Sequence, residues 1–188
     1  MGVRRADIED VNSMSYIHSQ TWKKAYVDFI SEEYLNNLSD DGWIPLFSRA
    51  FREKLHEAAV FEVDGNITGT VTFGQGRKAL DSERDSDNYP YGTEVNQLNS
   101  PEHNSEGEII SLYVLPQYWS TGQGYQLTKF AVDALRDQGF NCCYLWVIKD
   151  NERAVDFYKR FGFKRTGEHM TVLLAGLPVV EEKYIIML

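Results

Sequence analysis

Cysteine is scarce in this sequence: there are two, Cys142 and Cys143, and they are neighbours. A disulfide between adjacent cysteines is rare because it would strain the peptide that joins them. The four histidines do not show the spacing of a metal site. These absences argue against a disulfide-rich or metal-stabilised scaffold, so we expect no metal and a reducing compartment.

Long apolar runs are absent as well. No stretch approaches the roughly 20 apolar residues of a membrane-spanning helix, and residues 1–10 contain no apolar run of a signal peptide. The 19 basic residues are outnumbered by 28 acidic ones, for a formal net charge of -9. Such a chain should repel nucleic acid and anionic membranes, so we expect a cytoplasmic protein with neither as a partner. The charge would favour a cationic substrate, or serves solubility alone.

The chain of 188 residues has room for one domain, and its 43% hydrophobic residues can form a core without crosslinks. Aromatic residues reach 13%, enough for a core or a cleft built from flat side chains. Between about residues 76 and 106 the composition becomes polar and acidic. We expect a single domain over residues 1–188, with a long acidic loop at about 76–106. Tyr89 and Tyr91 in this loop are weak candidates for substrate contact.

Hydrophobic periodicity predicts the order of the elements. The first half should contain a strand at residues 3–6, helices within residues 8–55, and a hairpin of residues 59–63 and 67–73. The second half should contain strands at 108–115 and 142–148, helices at 122–138 and 151–161, and final strands at 164–174 and 179–187. This alternation predicts a mixed α/β sheet.

The sharpest local signal is a pair of glycines, Gly122 and Gly124, between a predicted strand and the next helix. A helix N-terminus presents unpaired N–H groups, and glycines let phosphate oxygens approach the backbone. Ser120 and Thr121 add hydroxyl donors. A tight strand-to-helix turn is the structural alternative. A dinucleotide-binding turn fits poorly because Leu127 stands where its third glycine should be, and a Walker loop lacks its Gly-Lys-Ser/Thr.

Residues 112–127 resemble the main cofactor motif of the GNAT acetyltransferases, Gln/Arg-x-x-Gly-x-Gly/Ala, with Trp119 in its first position. Residues 151–163 resemble the family's second motif, Asn-x-x-Ala-x-x-Phe-Tyr…Gly-Phe. The resemblance implies a mixed, mostly antiparallel central sheet flanked by helices, and acetyl-CoA as the co-substrate. The cofactor-binding residues that it implies are Tyr113, Val114, Trp119, Ser120, Thr121, Gly122, Gln123, Gly124, Tyr125, Asn151 and Ala154.

The resemblance also implies direct transfer of the acetyl group, without a covalent enzyme intermediate. Tyr158 in the second motif is the implied general acid for the departing thiolate, and a reference pKa near 10 suits that task. Glu108 matches the catalytic Glu of histone-acetylating members and is the first candidate for the base; the alternative is a surface carboxylate. Trp22, Tyr26 and Phe29 are candidates for the wall of the acceptor site, or for the core.

The expected acceptor is a primary amine of a small molecule or a peptide. Ribosomal-protein N-terminal acetyltransferases carry a Glu in the strand before the second motif, and Trp146 stands at that position here. A protein N-terminus is therefore a less favoured substrate. The departure at Trp119 keeps an alternative open, a non-catalytic module that binds acyl-CoA as a sensor or interaction domain. The sequence also leaves a homodimer open.

Overall fold

The computed structural model of the protein describes residues 1–77 and 105–188. The first part contains β1 (Gly2–Arg5), a 3-10 turn (Ile8–Asp10), α1 (Val11–Ala25), α2 (Glu32–Asn36), α3 (Ile44–Glu53), β2 (Glu57–Val63) and β3 (Asn66–Gln75). The second part contains β4 (Glu106–Val114), a 3-10 turn (Pro116–Tyr118), α4 (Gln123–Asp137), β5 (Cys142–Ile148), α5 (Glu152–Phe161), β6 (Lys164–Leu174) and β7 (Leu177–Met187).

Polar side chains set the start of the N-terminal helical region. The carboxylate of Asp7 accepts a hydrogen bond from the amide of Glu9, and the carboxylate of Asp10 accepts one from the amide of Asp7. This reciprocal capping satisfies amides that the first turn would leave unpaired. Arg4 on β1 holds Asp10 through two hydrogen bonds of 2.7 and 2.8 Å. The exit from β1 into α1 is therefore fixed in direction.

The strands of the described residues form one sheet in the order β1-β2-β3-β4-β5-β7-β6. Neighbouring strands pair antiparallel except β4 and β5, which run parallel because α4 carries the chain back along the sheet between them. The mixed, mostly antiparallel sheet flanked by helices is thus confirmed.

The parallel pairing of β4 with β5 is short, and the sheet parts beyond it. Residues 106–108 of β4 pair with residues 142–144 of β5, and the described residues show no further pairing between these strands. An extra residue, Ile110, bulges from β4 between the residues that face Phe73 and Thr72 on β3. A bulge bends its strand and increases the twist. The rest of β4 therefore follows β3, the rest of β5 follows β7, and a gap opens between them.

Two hydrophobic clusters cover the two faces of the sheet. One joins α4 and α5 to residues such as Phe73 and Leu145, and the other joins α1, α2 and α3 to the opposite face around Trp43. Helix α4 lies so close to β4 that a Cβ on Gly107 would be 2.8 Å from Leu135. Packing on both faces therefore holds the helices in place around the gap.

Most predicted elements are present, with shifted ends. Strands β5 and β6 have their predicted bounds, whereas α3 begins at Ile44 instead of near residue 40. Asp40 stays outside the helix because its carboxylate accepts hydrogen bonds from side chains of α1. Strand β4 already begins at Glu106. Most of the predicted acidic loop, residues 78–104 with Tyr89 and Tyr91, lies outside the described residues.

No helix in the described part of the chain is long and apolar enough to cross a membrane. Cys142 and Cys143 are buried, free thiols on β5. Burial raises the pKa of the Cys143 thiol, which keeps this group protonated and unreactive. Across residues 1–77 and 105–188, no cluster of His, Cys, Asp and Glu has an arrangement that could hold a metal ion.

Candidate active site

The gap between β4 and β5 opens into a cavity of about 850 Å³. Its walls are the two parted strands, the loop before α4 (residues 115–122), α5, and the end of α1 with the residues that follow it. A volume of this size is typical of a small-molecule site. The cavity brings both cofactor motifs and part of the predicted acceptor wall around one space.

The loop before α4 forms the end of the cavity that suits a phosphate. Gly122 has a φ of 89°, a left-handed conformation that glycine adopts without strain. No side chain of the described residues caps α4, which leaves the amides of its first turn available to a ligand. Ser120, Gly122, Gly124 and Tyr125 line the cavity. The geometry fits an anion at this helix N-terminus.

Two predicted cofactor-binding residues of this segment do not line the cavity. Gln123 is buried, and its Oε1 accepts a hydrogen bond of 2.8 Å from Oγ1 of Thr68 on β3. Thr121 donates through its hydroxyl to the carbonyl oxygen of Tyr118, 2.7 Å away. Both side chains therefore serve the turn itself, so a contact of either residue with the cofactor would involve its backbone amide.

Trp119 links the loop to its surroundings. Its indole Nε1 donates to the carbonyl oxygen of Val114, 2.7 Å away, and so ties the loop to the end of β4. The guanidinium carbon of Arg153 on α5 lies 3.6 Å from the centre of the Trp119 ring, which is a cation–π contact. Arg153 was missed in the sequence, because nothing in either motif shows that the two segments meet at this pair.

The second motif forms the start of α5. Asn151 is the N-cap, and its Oδ1 accepts a hydrogen bond of 3.1 Å from the amide of Ala154. Asn151 and Ala154 both line the cavity. The ring of Phe157 lies 3.6 Å from where a Cβ on Gly124 would be. The second turn of α5 therefore packs against the first turn of α4.

Tyr158, the predicted general acid, lies in the cavity wall. Its ring packs against the rings of Phe157 and Phe163, with centroid distances of 5.1 and 5.8 Å. Burial raises the pKa of the phenol, with a smaller contribution from nearby Tyr26. A phenol with a raised pKa keeps its proton throughout the neutral range, so Tyr158 is a hydrogen-bond donor inside the cavity.

A polar network connects the acceptor side with β4. The hydroxyl of Tyr113 accepts a hydrogen bond of 3.0 Å from Nε1 of Trp22 and lies 3.1 Å from the hydroxyl of Tyr26. Tyr26, Phe29 and the two β4 residues Tyr113 and Val114 line the cavity. Trp22 is fully buried among the helices and does not line it. Trp22 is therefore a core residue that holds Tyr113, which is the second of the two roles considered for it from the sequence.

Glu108, the predicted base, does not line the cavity. It is 1% exposed, and its carboxylate accepts hydrogen bonds from the amide, Nε and Nη2 of Arg77 at 3.0, 2.9 and 2.6 Å. The hydroxyl of Tyr144 on β5 donates to it at 3.2 Å. Glu108 thus ties β4 to β5 at the closed end of the gap, and the structure does not bring it to the acceptor.

Further residues line the acceptor side without belonging to either motif. They include Lys24 on α1, Asp28 after α1, Ser111 on β4, Trp146 on β5 and Glu181 on β7. The two carboxylates outnumber the one lysine, and with the aromatic ring they favour a positively charged ligand, by Coulomb attraction and by cation–π contact. These residues come from separate elements, and only the fold places them together.

Comparisons with known proteins identify the family to which this fold belongs. The Acetyltransferase (GNAT) family model matches residues 19–163. An uncharacterized N-acetyltransferase of Bacillus subtilis, YuaI, is 24% identical over 173 residues, which cover 88% of this chain and 82% of that protein. A spermidine N(1)-acetyltransferase of Thermoplasma acidophilum is 25% identical over 162 residues, which cover 86% of this chain and 87% of that protein.

Solved structures show the same fold. The crystal structure of the PaiA N-acetyltransferase of Thermoplasma acidophilum, in complex with coenzyme A, has a TM-score of 0.63 at 19% identity and covers 96% of both chains. The matched residues 19–163 include both cofactor motifs, the parted strands and Tyr158. The chain therefore belongs to the GNAT family of acetyltransferases and is an N-acetyltransferase of that superfamily.

Proposed function

We propose that the protein transfers an acetyl group from acetyl-CoA to a primary amine of a small molecule or peptide, by direct attack in a ternary complex. The observation that carries the proposal is one cavity that contains the loop before α4, Tyr158, and the wall of Tyr26 and Phe29. The coenzyme A complex of the PaiA neighbour supports the donor. The spermidine acetyltransferase among the relatives supports an amine acceptor.

The cavity residues fit coenzyme A in their chemistry. The α4 terminus offers backbone amides for a pyrophosphate, and Gly122 and Gly124 leave those amides accessible. Asn151 and Ala154 form the wall along which the pantetheine arm would run. Bound acetyl-CoA would supply an acetyl group activated as a thioester. The protein itself supplies binding, orientation and hydrogen-bond donors.

Two donors are available for the charges that develop during transfer. The amide of Leu115 donates to the carbonyl of Thr68 on β3, so the preceding amide, that of Val114, points to the other side of β4, toward the gap. We assign the Val114 amide to the acetyl carbonyl oxygen. Tyr158 would donate to the sulfur as the C–S bond breaks. Because burial weakens this phenol as an acid, a large part of its effect should be hydrogen bonding to the developing thiolate.

The acceptor amine must lose a proton before it attacks. For a lysine-like amine with a pKa of about 10.4, exposing the lone pair at pH 7 costs about 4.6 kcal/mol. With Glu108 outside the cavity, we infer that this proton leaves through water on the acceptor side. Asp28 and Glu181 would attract the amine and hold a second positive charge on it. A small polyamine-like acceptor matches this lining.

Release of free thiol from acetyl-CoA, with polyamines, amino acids, aminoglycosides and peptides as acceptors, tests the proposal. We expect turnover with a small cationic amine. Tyr158→Phe keeps the ring but removes the donor, so kcat should fall about 10²-fold while the KM for acetyl-CoA stays unchanged. Tyr16→Phe, at an exposed position of α1, is the matched control and should retain wild-type activity.

Two results would contradict this assignment in different ways. If Tyr158→Phe turns over like the wild type, Tyr158 is a packing residue and another donor serves the sulfur. If the protein binds acetyl-CoA tightly and acetylates no amine at any pH, the non-catalytic acyl-CoA-binding module describes it better.

A further inference from the structure

The loop before α4 has no positive charge of its own. Residues 111–128, which end β4 and form this loop and the first turns of α4, contain no Lys or Arg. The cationic side chains that line the cavity within the described part of the chain are Lys24, Arg153 and Arg160. A pyrophosphate carries a negative charge on each phosphoryl group, and neutral amides alone offset this charge incompletely. A cation from outside the loop would therefore strengthen the binding of a pyrophosphate at this site.

Arg153 is the cation that the structure places against this loop. Its guanidinium lies on the ring of Trp119, 3.6 Å from the ring centre. Trp119 is in turn fixed by its hydrogen bond to the carbonyl of Val114. Trp119 lies three residues before Gly122, so this contact places the charge of Arg153 on the loop that leads into the α4 terminus.

No carboxylate of residues 1–77 and 105–188 forms an ion pair with this guanidinium, although Glu152 and Asp156 lie on the same helix. Burial against the indole lowers the pKa of Arg153, but an arginine remains charged at neutral pH. Stacking occupies one face of the guanidinium and leaves its N–H edges available, which is the geometry for bidentate contact with a phosphate.

We propose that Arg153 binds the pyrophosphate of acetyl-CoA and that Trp119 is the positioning residue that holds it there. The inference rests on the proposed acetyl-CoA dependence. It gives the departure from the cofactor motif at Trp119 a function: this position supplies the charge indirectly, through an arginine of the second motif. The two motifs are thereby coupled through one contact between α5 and the loop.

Calorimetric titration with three ligands tests the role of Arg153 without any turnover. Coenzyme A has the pyrophosphate and the 3′-phosphate, 3′-dephospho-coenzyme A keeps the pyrophosphate, and pantetheine has neither. Arg153→Met keeps an unbranched stem on Trp119 and removes the charge. It should raise the Kd of the first two ligands by the same factor, about tenfold or more, and leave that of pantetheine, measured by competition, unchanged. Arg136→Met, on an exposed arginine at the far end of α4, is the control.

Trp119→Leu tests the positioning. It should raise the Kd of coenzyme A in the same direction, and the double variant Trp119→Leu/Arg153→Met should bind no more weakly than Arg153→Met alone, because both changes remove one contact. In addition, Trp119→Arg in the Arg153→Met background should restore part of the affinity by placing the charge on the loop itself.

Several results would overturn the inference. One is a folded Arg153→Met protein that binds coenzyme A like the wild type. Another is a loss of affinity in this variant for coenzyme A but not for 3′-dephospho-coenzyme A. The third is an equal loss of affinity for pantetheine. A wild-type protein that binds none of the three ligands would overturn the proposed acetyl-CoA dependence itself. If the wild type binds coenzyme A and the Arg153→Met protein binds it with the same affinity, only the role of the arginine is overturned.

Discussion

His18 on α1 should make the protein sensitive to acid. The imidazole is 2% exposed and lies among the rings of Trp43, Phe47 and Tyr113, at centroid distances of 5.8, 4.8 and 4.3 Å. Neither ring nitrogen has a hydrogen-bond partner among the described residues. Burial lowers the pKa of His18 from 6.5 to about 3, because a charged ring there would lose its hydration without gaining a partner.

The lowered pKa determines both the direction and the size of the effect. Between pH 6.5 and about 3 the unfolded chain binds a proton at His18 that the folded chain does not. The stability that the neutral imidazole contributes is therefore present above pH 6.5 and is lost as the pH falls. These two pKa values give a loss of about 3 kcal/mol at pH 4.5. A typical domain has a free energy of unfolding of about 5–15 kcal/mol, so this loss is a large part of it.

Urea unfolding followed by circular dichroism between pH 7 and 4.5 measures this loss. His18→Phe keeps an aromatic ring that cannot be protonated, so the wild type should lose about 2 to 3 kcal/mol relative to it over this range. Burial also lowers the pKa of His56, to about 4, but His56 is present in both proteins and its effect cancels. His169→Gln, at an exposed position of β6, should follow the wild type. A difference between wild type and His18→Phe that stays constant with pH would refute the reasoning.

Two further substitutions test the cofactor site and the residue first considered as the base. Gly124→Glu should abolish the rise in melting temperature that acetyl-CoA causes, because a carboxylate would occupy the phosphate site. Gly124→Ala should keep most of the rise, since its Cβ would make only an ordinary contact with Phe157; an unchanged rise in a folded Gly124→Glu protein would place the cofactor elsewhere. Glu108→Gln should lower the free energy of unfolding by about 3 kcal/mol, because Arg77 loses a buried carboxylate partner. Glu53→Gln, in an exposed ion pair, should cost less than about 1 kcal/mol in the same urea assay, and a Glu108→Gln protein of wild-type stability with slow, pH-rescued turnover would return Glu108 to the role of base.

The predictable parts of the site are those encoded by neighbours along the chain. A strand end, two closely spaced glycines and an amphipathic helix follow one another, so the position of the α4 terminus can be inferred from residues 112–127 alone. The same holds for α5, where Asn151, Ala154 and Tyr158 lie about one helical turn apart and share the cavity side. Because these residues belong to one helix, their spacing along the chain determines which face of the helix they share.

The parts that sequence could not predict depend on where side chains point after folding. Gln123 lies between two cavity-lining glycines, yet the first turn of α4 directs it to Thr68 on β3. Trp22 and Tyr26 are one helical turn apart, but α1 ends at Ala25, so the helical pattern does not continue to the acceptor wall. The partner of Glu108 is 31 positions earlier in the chain, and no local pattern connects the two.

The parting of β4 and β5 gives the sheet two inner edges in addition to its outer ones. Along residues 109–114 and 145–148, peptide groups that would complete a ladder across the sheet face the gap instead. Strand edges accept other extended chains, and an extended ligand with amide groups can dock here as a substitute strand. Such a ligand would complete the ladder between the two half-sheets. Those hydrogen bonds would contribute to its affinity and would stiffen the connection between the two half-sheets.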